Sequence, residues 1–249
     1  MKTLNVLSFA LAYKAALRGY TSAVVERNWN GIGRLTLVVS ADIPGATSIA
    51  EDDILFFDHE LGKCFLVESI SEELSDGAKT LTVTAPALES LLSDYVTLPP
   101  AGSAYDVQTG TREQVVREWV DNNAVNPADP TRQQYPIVMG AYRGLGATVT
   151  DQTRYANLAD EVTRILAPED LGWRLRLDLG AGSFVFEVTD GVDRTVDAPI
   201  TRRVALDRDD NGASLGEGTL DNTHVDGSSL ELELDTTWVR WTGLTWGDL

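Results

Sequence analysis

Trp173-Arg174-Leu175-Arg176-Leu177-Asp178-Leu179, then Gly180-Ala181-Gly182-Ser183, then Phe184-Val185-Phe186-Glu187-Val188, decides the fold class. The first run alternates apolar and polar side chains strictly, which puts Trp173, Leu175 and Leu177 on one face of a strand. Two glycines then supply the backbone freedom of a tight turn, and the return run is again β-rich. A hairpin is expected here. The same grammar recurs upstream. Thr21–Arg27 and Arg34–Val39 flank the turn Asn28-Trp29-Asn30-Gly31-Ile32-Gly33, with Leu35, Leu37 and Val39 on one face. Ile54–Phe57 and Cys64–Ile70 flank Asp58–Gly62, and Lys79–Ala85 alternates after Ser75-Asp76-Gly77. Leu4–Phe9 reads as a strand, although Ala10–Arg18 has the composition of a helix. Short strands at near-regular spacing point to a small barrel or sandwich.

Helices interrupt this pattern. A short one is expected from Pro86 to Leu92, with proline in its first turn. Val96–Gly110 is rich in Pro, Gly, Ser and Ala and marks a boundary. Thr111 with Gln114 three residues on matches a capping box, and Val115, Val116, Trp119 and Val120 form the apolar stripe behind it. Ile137–Met139 reads as a short strand. Tyr155–Leu166 is a second helix, with Leu158, Ala159, Val162, Ile165 and Leu166 on one side. The fold class is therefore α+β, β-rich, with small barrel-like domains and an inserted α/β module. The expected parts are a barrel-like domain over 1–97, the inserted module over 98–198, and returning strands with a docking segment over 199–249.

Hydrophobic residues are 43% of the 249 and charged residues 23%, ordinary values for a folded chain. The net charge is -18. The acid is spread evenly: 7 basic against 13 acidic groups in residues 1–100, 9 against 15 in 101–200, and 4 against 10 in 201–249. Such a field repels nucleic acid and anionic lipid. Sixteen of the cations are Arg, which suits fixed, bidentate pairing. Cys64 is the single cysteine, so no internal disulfide forms, and its apolar neighbours make it a buried structural thiol. No apolar run reaches the ~18 residues of a membrane span, and the start lacks a secretory pattern.

Enzyme signatures are scarce. His59 and His224 each stand alone, so zinc ligation and a His-centred nucleophile lack their parts. Gly144-Leu145-Gly146 lacks the third glycine of a dinucleotide loop and reads as a turn. Asp207, Asp209 and Asn211, with Gly212, match the front of a calcium loop, but its twelfth position is Gly218 rather than Glu. Asp190, Asp193 and Arg194 follow a strand and read as a turn whose charges brace the next one. Trp238, Trp241 and Trp246 crowd the end as candidate anchors for a partner. No catalytic residue and no cofactor is expected.

The order of segments resembles the minor tail proteins of long-tailed phages, the tail-tip hub family. The likeness runs over about residues 20–195. It rests on the Arg27–Gly33 turn, Asp53–Phe56, Phe65–Ile70, Leu81–Leu92, the helix from Arg112, Arg154–Leu158, Leu171-Gly172-Trp173 and Asp190–Thr195. It fades from about Gly212. The resemblance implies a homotrimer whose barrel-like modules form a pseudo-sixfold ring on the distal tail ring protein, around the DNA channel. It implies the tape-measure protein and receptor-binding proteins as neighbours, and a place at the tail tip of the virion after synthesis in the bacterial cytoplasm. It implies no specific nucleic-acid binding, no stable membrane association and no catalysis. The length leaves little room for a cell-wall-degrading domain. Two rival readings remain at this stage: a tail-associated, carboxylate-based glycosidase, and a calcium-dependent binding module on Asp207, Asp209 and Asn211.

Overall fold

The structure is a computed structural model. It describes residues 2–58, 60–75 and 77–191, together with the backbone of four short strands between Thr201 and Val239. The chain divides into two compact units, Met1–Gly191 and Val192–Leu249.

The first unit opens with β1 (Leu4–Leu7), β2 (Tyr13–Leu17), β3 (Ser22–Glu26), β4 (Arg34–Ser40), β5 (Ile54–Phe57), β6 (Phe65–Leu66), β7 (Ser69–Ser75) and β8 (Ala78–Pro86). They make two four-stranded sheets, in the orders β2-β1-β5-β6 and β3-β4-β8-β7. Neither sheet closes into a barrel. They face each other through a shared core in which Leu4, Val6, Leu17, Leu55 and Phe57 of the first meet Leu35, Leu37, Val39, Leu81 and Val83 of the second. Burying each such side chain contributes roughly 1.5–3 kcal/mol relative to leaving it exposed.

The run Ile54-Leu55-Phe56-Phe57 explains how this sandwich joins the rest. All four residues are buried. Leu55 and Phe57 point into the sandwich, while Ile54 and Phe56, with Leu7 and Cys64, point to the opposite face and into a second core. A strand covered on both faces is apolar without alternation. The second core holds helix α1 (Arg112–Val120), helix α2 (Leu158–Leu166) and a three-stranded sheet of β10 (Ile137–Met139), β12 (Gly172–Asp178) and β13 (Ser183–Thr189). β12 and β13 form the expected hairpin, paired from Gly172 with Thr189 to Asp178 with Ser183, and β10 runs parallel to β13. β9 (Asp106–Thr111) and β11 (Thr148–Thr153) form a separate two-stranded ribbon. In the second unit, β14 (Thr201–Ala205), β15 (Glu217–Asp221), β16 (Leu232–Leu234) and β17 (Thr237–Val239) pair in chain order, all antiparallel.

Several elements differ from the sequence expectation. The helix-like composition of Ala10–Arg18 is overridden: β2 pairs with β1 and sends Leu17 into the sandwich. The Cys64–Ile70 run is not one strand. Leu66 ends β6, and the chain crosses to the other sheet, where Ser69 begins β7 opposite Thr84. Pro86 does not start a helix; it closes β8 opposite Arg34, and a 3-10 turn follows over Leu88–Asp94. The second helix starts at Leu158, capped by the Asn157 side chain accepting from Asp160 N–H at 3.2 Å, because Tyr155 sits at φ 52°. The boundary segment 96–110 contains β9, whose Thr, Gln and Asp carry no apolar alternation. Thr111 caps α1 as expected, accepting from Gln114 N–H at 3.2 Å.

Candidate functional site

The Asn28–Gly33 turn reaches across the unit. Trp29 lays its indole on Gly172 so closely that a Cβ there would stand 2.7 Å from the ring, and its Nε1–H donates to the Asp170 carbonyl at 2.9 Å. Only glycine permits that approach. Beside this joint lies a cavity of about 510 Å³, lined among others by Trp29, Cys64, Glu89, Arg143, Trp173 and Asp190. Glu89 comes from the 3-10 turn after β8 and accepts from Leu175 N–H at 3.3 Å. Burial pushes its carboxyl up to about 7. Burial, reinforced by the Glu89 charge, pushes the Cys64 thiol up to about 12, so it is unreactive at neutral pH.

Around the cavity the cations are already engaged. Arg174 and Arg176 both hold Glu187, at 2.7 and 3.2 Å. Arg143 donates to Asp190 at 2.6 Å, and that guanidinium holds the Asp190 carboxyl below the usual carboxylate range. Asp190 is thus tied to the loop before β11. Lys2, Arg27 and Lys63 converge on Glu60. Arg164 bridges Asp151 and Glu161, and its hydrogen bond to Asp151 lowers that acid.

Glu113 is the least accessible acid described, at 0% exposure. It accepts from Arg143 N–H with both oxygens, at 3.0 and 3.1 Å, and from Leu145 N–H at 2.9 Å. Gly144 and Gly146 stand at φ 72° and 80°, so the Gly-Leu-Gly segment is a turn wrapped on this carboxylate. Nothing in the sequence separates Glu113 from an ordinary first-turn acid; its only signal is the positive-φ turn far downstream. Trp29 and Glu89 were equally silent, since each acts through residues more than eighty positions away.

Of the candidate turn, calcium-loop and partner-anchor residues named from sequence, Asp190 alone has a described side chain. Asp193, Arg194, Asp207, Asp209, Asn211, Trp241 and Trp246 lie outside the described residues, as do His59, His224 and the side chain of Trp238. Among the described residues no three His, Cys, Asp or Glu groups gather as a metal site, and no helix is long and apolar enough to cross a membrane. The arrangement offers one carboxyl able to hold a proton near neutrality, in a setting of paired, immobile charges.

The model of the Siphovirus ReqiPepy6 Gp37-like protein family matches residues 3–214, and the chain belongs to that family. No curated protein matches it. Solved structures that resemble it include prophage tail protein gp18 from Listeria monocytogenes EGD-e, at 13% identity and a TM-score of 0.48, covering 87% of this chain and 66% of that one. A tail protein from Neisseria meningitidis MC58 shares 14% identity at 0.47, over 74% and 50%. The 43 kDa tail protein of prophage MuSo2 from Shewanella oneidensis shares 12% at 0.42, over 82% and 62%. The chain thus spans between half and two thirds of the length of these structures.

Proposed function

We propose that this chain, a structural protein of the phage virion tail by its family, is the tail-tip hub: a homotrimeric, non-catalytic ring that closes the distal end of the tail tube. The family match over residues 3–214 carries this reading. The architecture supports it. Strands β2, β3 and β7 end their sheets in the strand order, and open edges are platforms for neighbouring chains. Many arginines among the described residues are tied to carboxylates, which suits a part that holds shape. The net charge of -18 suits a wall past which DNA slides without sticking. In this reading residues 1–97 form the ring module, 98–198 the inserted module, and 199–249 the segment that docks on a neighbour through Trp238, Trp241 and Trp246. The neighbours are the distal tail ring protein, the tape-measure protein and the receptor-binding proteins. The mass of the purified assembly tests it: three times the 27.1 kDa of one chain is expected, and a monomer at micromolar concentration refutes the ring.

One observation favours a second reading. Glu89, with its carboxyl raised to about 7 in a cavity, has the protonation state of a glycosidase acid. Zymography on host cell wall decides: clearing by the wild type that disappears in Glu89→Gln establishes the hydrolase. The calcium reading on Asp207, Asp209 and Asn211 is answered by calorimetry, where no heat of calcium binding removes it.

A further inference from the structure

The ribbon β9–β11 and the loop before α2 bring exposed aromatic and aliphatic side chains together around one arginine. Arg154 lies between two tyrosines, its guanidinium carbon 5.7 Å from the Tyr105 ring centre and 4.8 Å from that of Tyr155. It has no carboxylate partner among the described residues, in a chain where acids outnumber bases 38 to 20. Tyr155 is 61% exposed and Val107 55%, and Val96, Leu98 and Tyr105 are exposed beside them. These residues are contiguous. Val107 faces Gln152 in the ribbon, Val96 bridges to Asn157, and Thr97 links the two segments through its hydroxyl contact with Thr153 at 2.9 Å.

The backbone is strained to make this surface. Tyr155 holds φ 52°, a left-handed conformation that is unfavourable for a bulky residue. Two hydrogen bonds keep it there: Tyr155 N–H to the Thr97 carbonyl at 2.8 Å, and Ala156 N–H to Thr97 Oγ1 at 3.1 Å. The result is an exposed tyrosine held beside the Arg154 guanidinium. Tyrosine and arginine beside exposed aliphatics are the composition of an interface centre. Both rings lie within cation–π distance of the guanidinium, whose N–H groups can still pair with a carboxylate.

We propose that Arg154, Tyr105 and Tyr155, with Val96, Leu98 and Val107, form the face by which one copy of this chain holds the carboxylate-bearing surface of the next. The proposal deepens the ring reading above and rests on it. Charge chooses the occupant: a second copy of so acidic a chain brings surplus carboxylates, whereas the patch brings a cation. The ring reading makes the contact head-to-tail, since a heterologous contact whose rotation closes generates a ring.

The test is light-scattering mass on the full chain, wild type against Arg154→Glu, with circular dichroism as the folding control. The wild type is expected as a closed ring and Arg154→Glu as a folded monomer. Like-charge contact in the interface should weaken association at least ~100-fold. Arg154→Lys, which keeps the charge but not the fork, should weaken it less. Tyr105→Ser gives an independent variant on the ribbon. If Arg154→Glu and Tyr105→Ser both keep the wild-type mass, this face is wrong while the ring stands. A wild-type dimer overturns the head-to-tail contact. A monomeric wild type overturns the ring and the face together.

Discussion

Glu113→Gln isolates what a buried charge does for this fold. The substitution keeps the volume of the side chain, so no cavity opens, and only charge and hydrogen bonding change. In the wild type two backbone N–H groups, of Arg143 and Leu145, donate to a carboxylate at 2.9–3.1 Å, and Arg117 Nη1 stands 3.9 Å away. Hydrogen bonds to a charged acceptor contribute roughly 1.5–3 kcal/mol each, against about 0.5–1.5 for neutral ones. With the amide oxygen at the Oε2 position, both donors keep an acceptor, but a weaker one, and the amide nitrogen then faces Arg143 N–H and Arg117. The loss is about 1–1.5 kcal/mol per bond, so 2–3 in all, and release from desolvating a carboxylate trims it to about 2. Glu113→Ala orphans both donors and adds a void, and should cost about 4 kcal/mol or more. Urea unfolding followed by tryptophan fluorescence gives both numbers. Amide exchange at Arg143 and Leu145 should quicken in both variants. Equal stability of Glu113→Gln and wild type, within ~0.5 kcal/mol, would refute the claim that this carboxylate organises the 143–146 turn.

Trp119 is fully buried under α1, with the Arg164 guanidinium 5.9 Å from its ring centre, so Trp119→Ala should cost about 3–5 kcal/mol in the same assay. Glu89 carries the opposite sign to a salt-bridged acid. Its folded pKa, about 7, lies above the ordinary 4.5, so its contribution is present below pH 4.5 and is lost as pH rises through 7. Glu89→Gln should therefore raise the melting temperature at pH 8 and leave it nearly unchanged at pH 4.5; a gain confined to acid would contradict the buried-carboxyl account. Deleting residues 236–249 should leave the first unit folded and weaken attachment to a neighbouring tail component, and normal tail assembly by the truncated chain would remove the docking role of Trp238, Trp241 and Trp246.

Strands that bury one face were legible because burial writes itself as alternation. Arg34–Ser40, Ala78–Pro86 and the Trp173–Val188 hairpin each send every second residue into a core. α1 and α2 were legible for the same reason at a different period. The elements that escaped are those that bury little. β9 and β11 are threonine, glutamine and aspartate on a two-stranded ribbon, and their partner lies some forty residues away. The Cys64–Ile70 run looked continuous because no glycine or proline breaks it, yet Phe65–Leu66 pairs with β5 and Ser69–Ile70 with β8. Local sequence records which side chains are buried, not which sheet buries them.

The same asymmetry governs the site. Asp190 was noticed for its charged company downstream, but its described partner is Arg143, forty-seven positions upstream. Glu113, Glu89 and Trp29 gave no local sign, because each is defined by a distant backbone: the 143–145 turn, Leu175 N–H and Gly172. What these contacts share is that a charge or ring on one element is fixed by the main chain of another. An enzyme needs groups left free to exchange protons or meet a substrate. Here Glu187, Glu60, Asp151 and Glu113 are each held by two or more donors, and the cysteine is buried and protonated. Arg154, exposed beside Tyr105 and Tyr155 and with no carboxylate partner among the described residues, is the group that the proposed contact gives to a second copy.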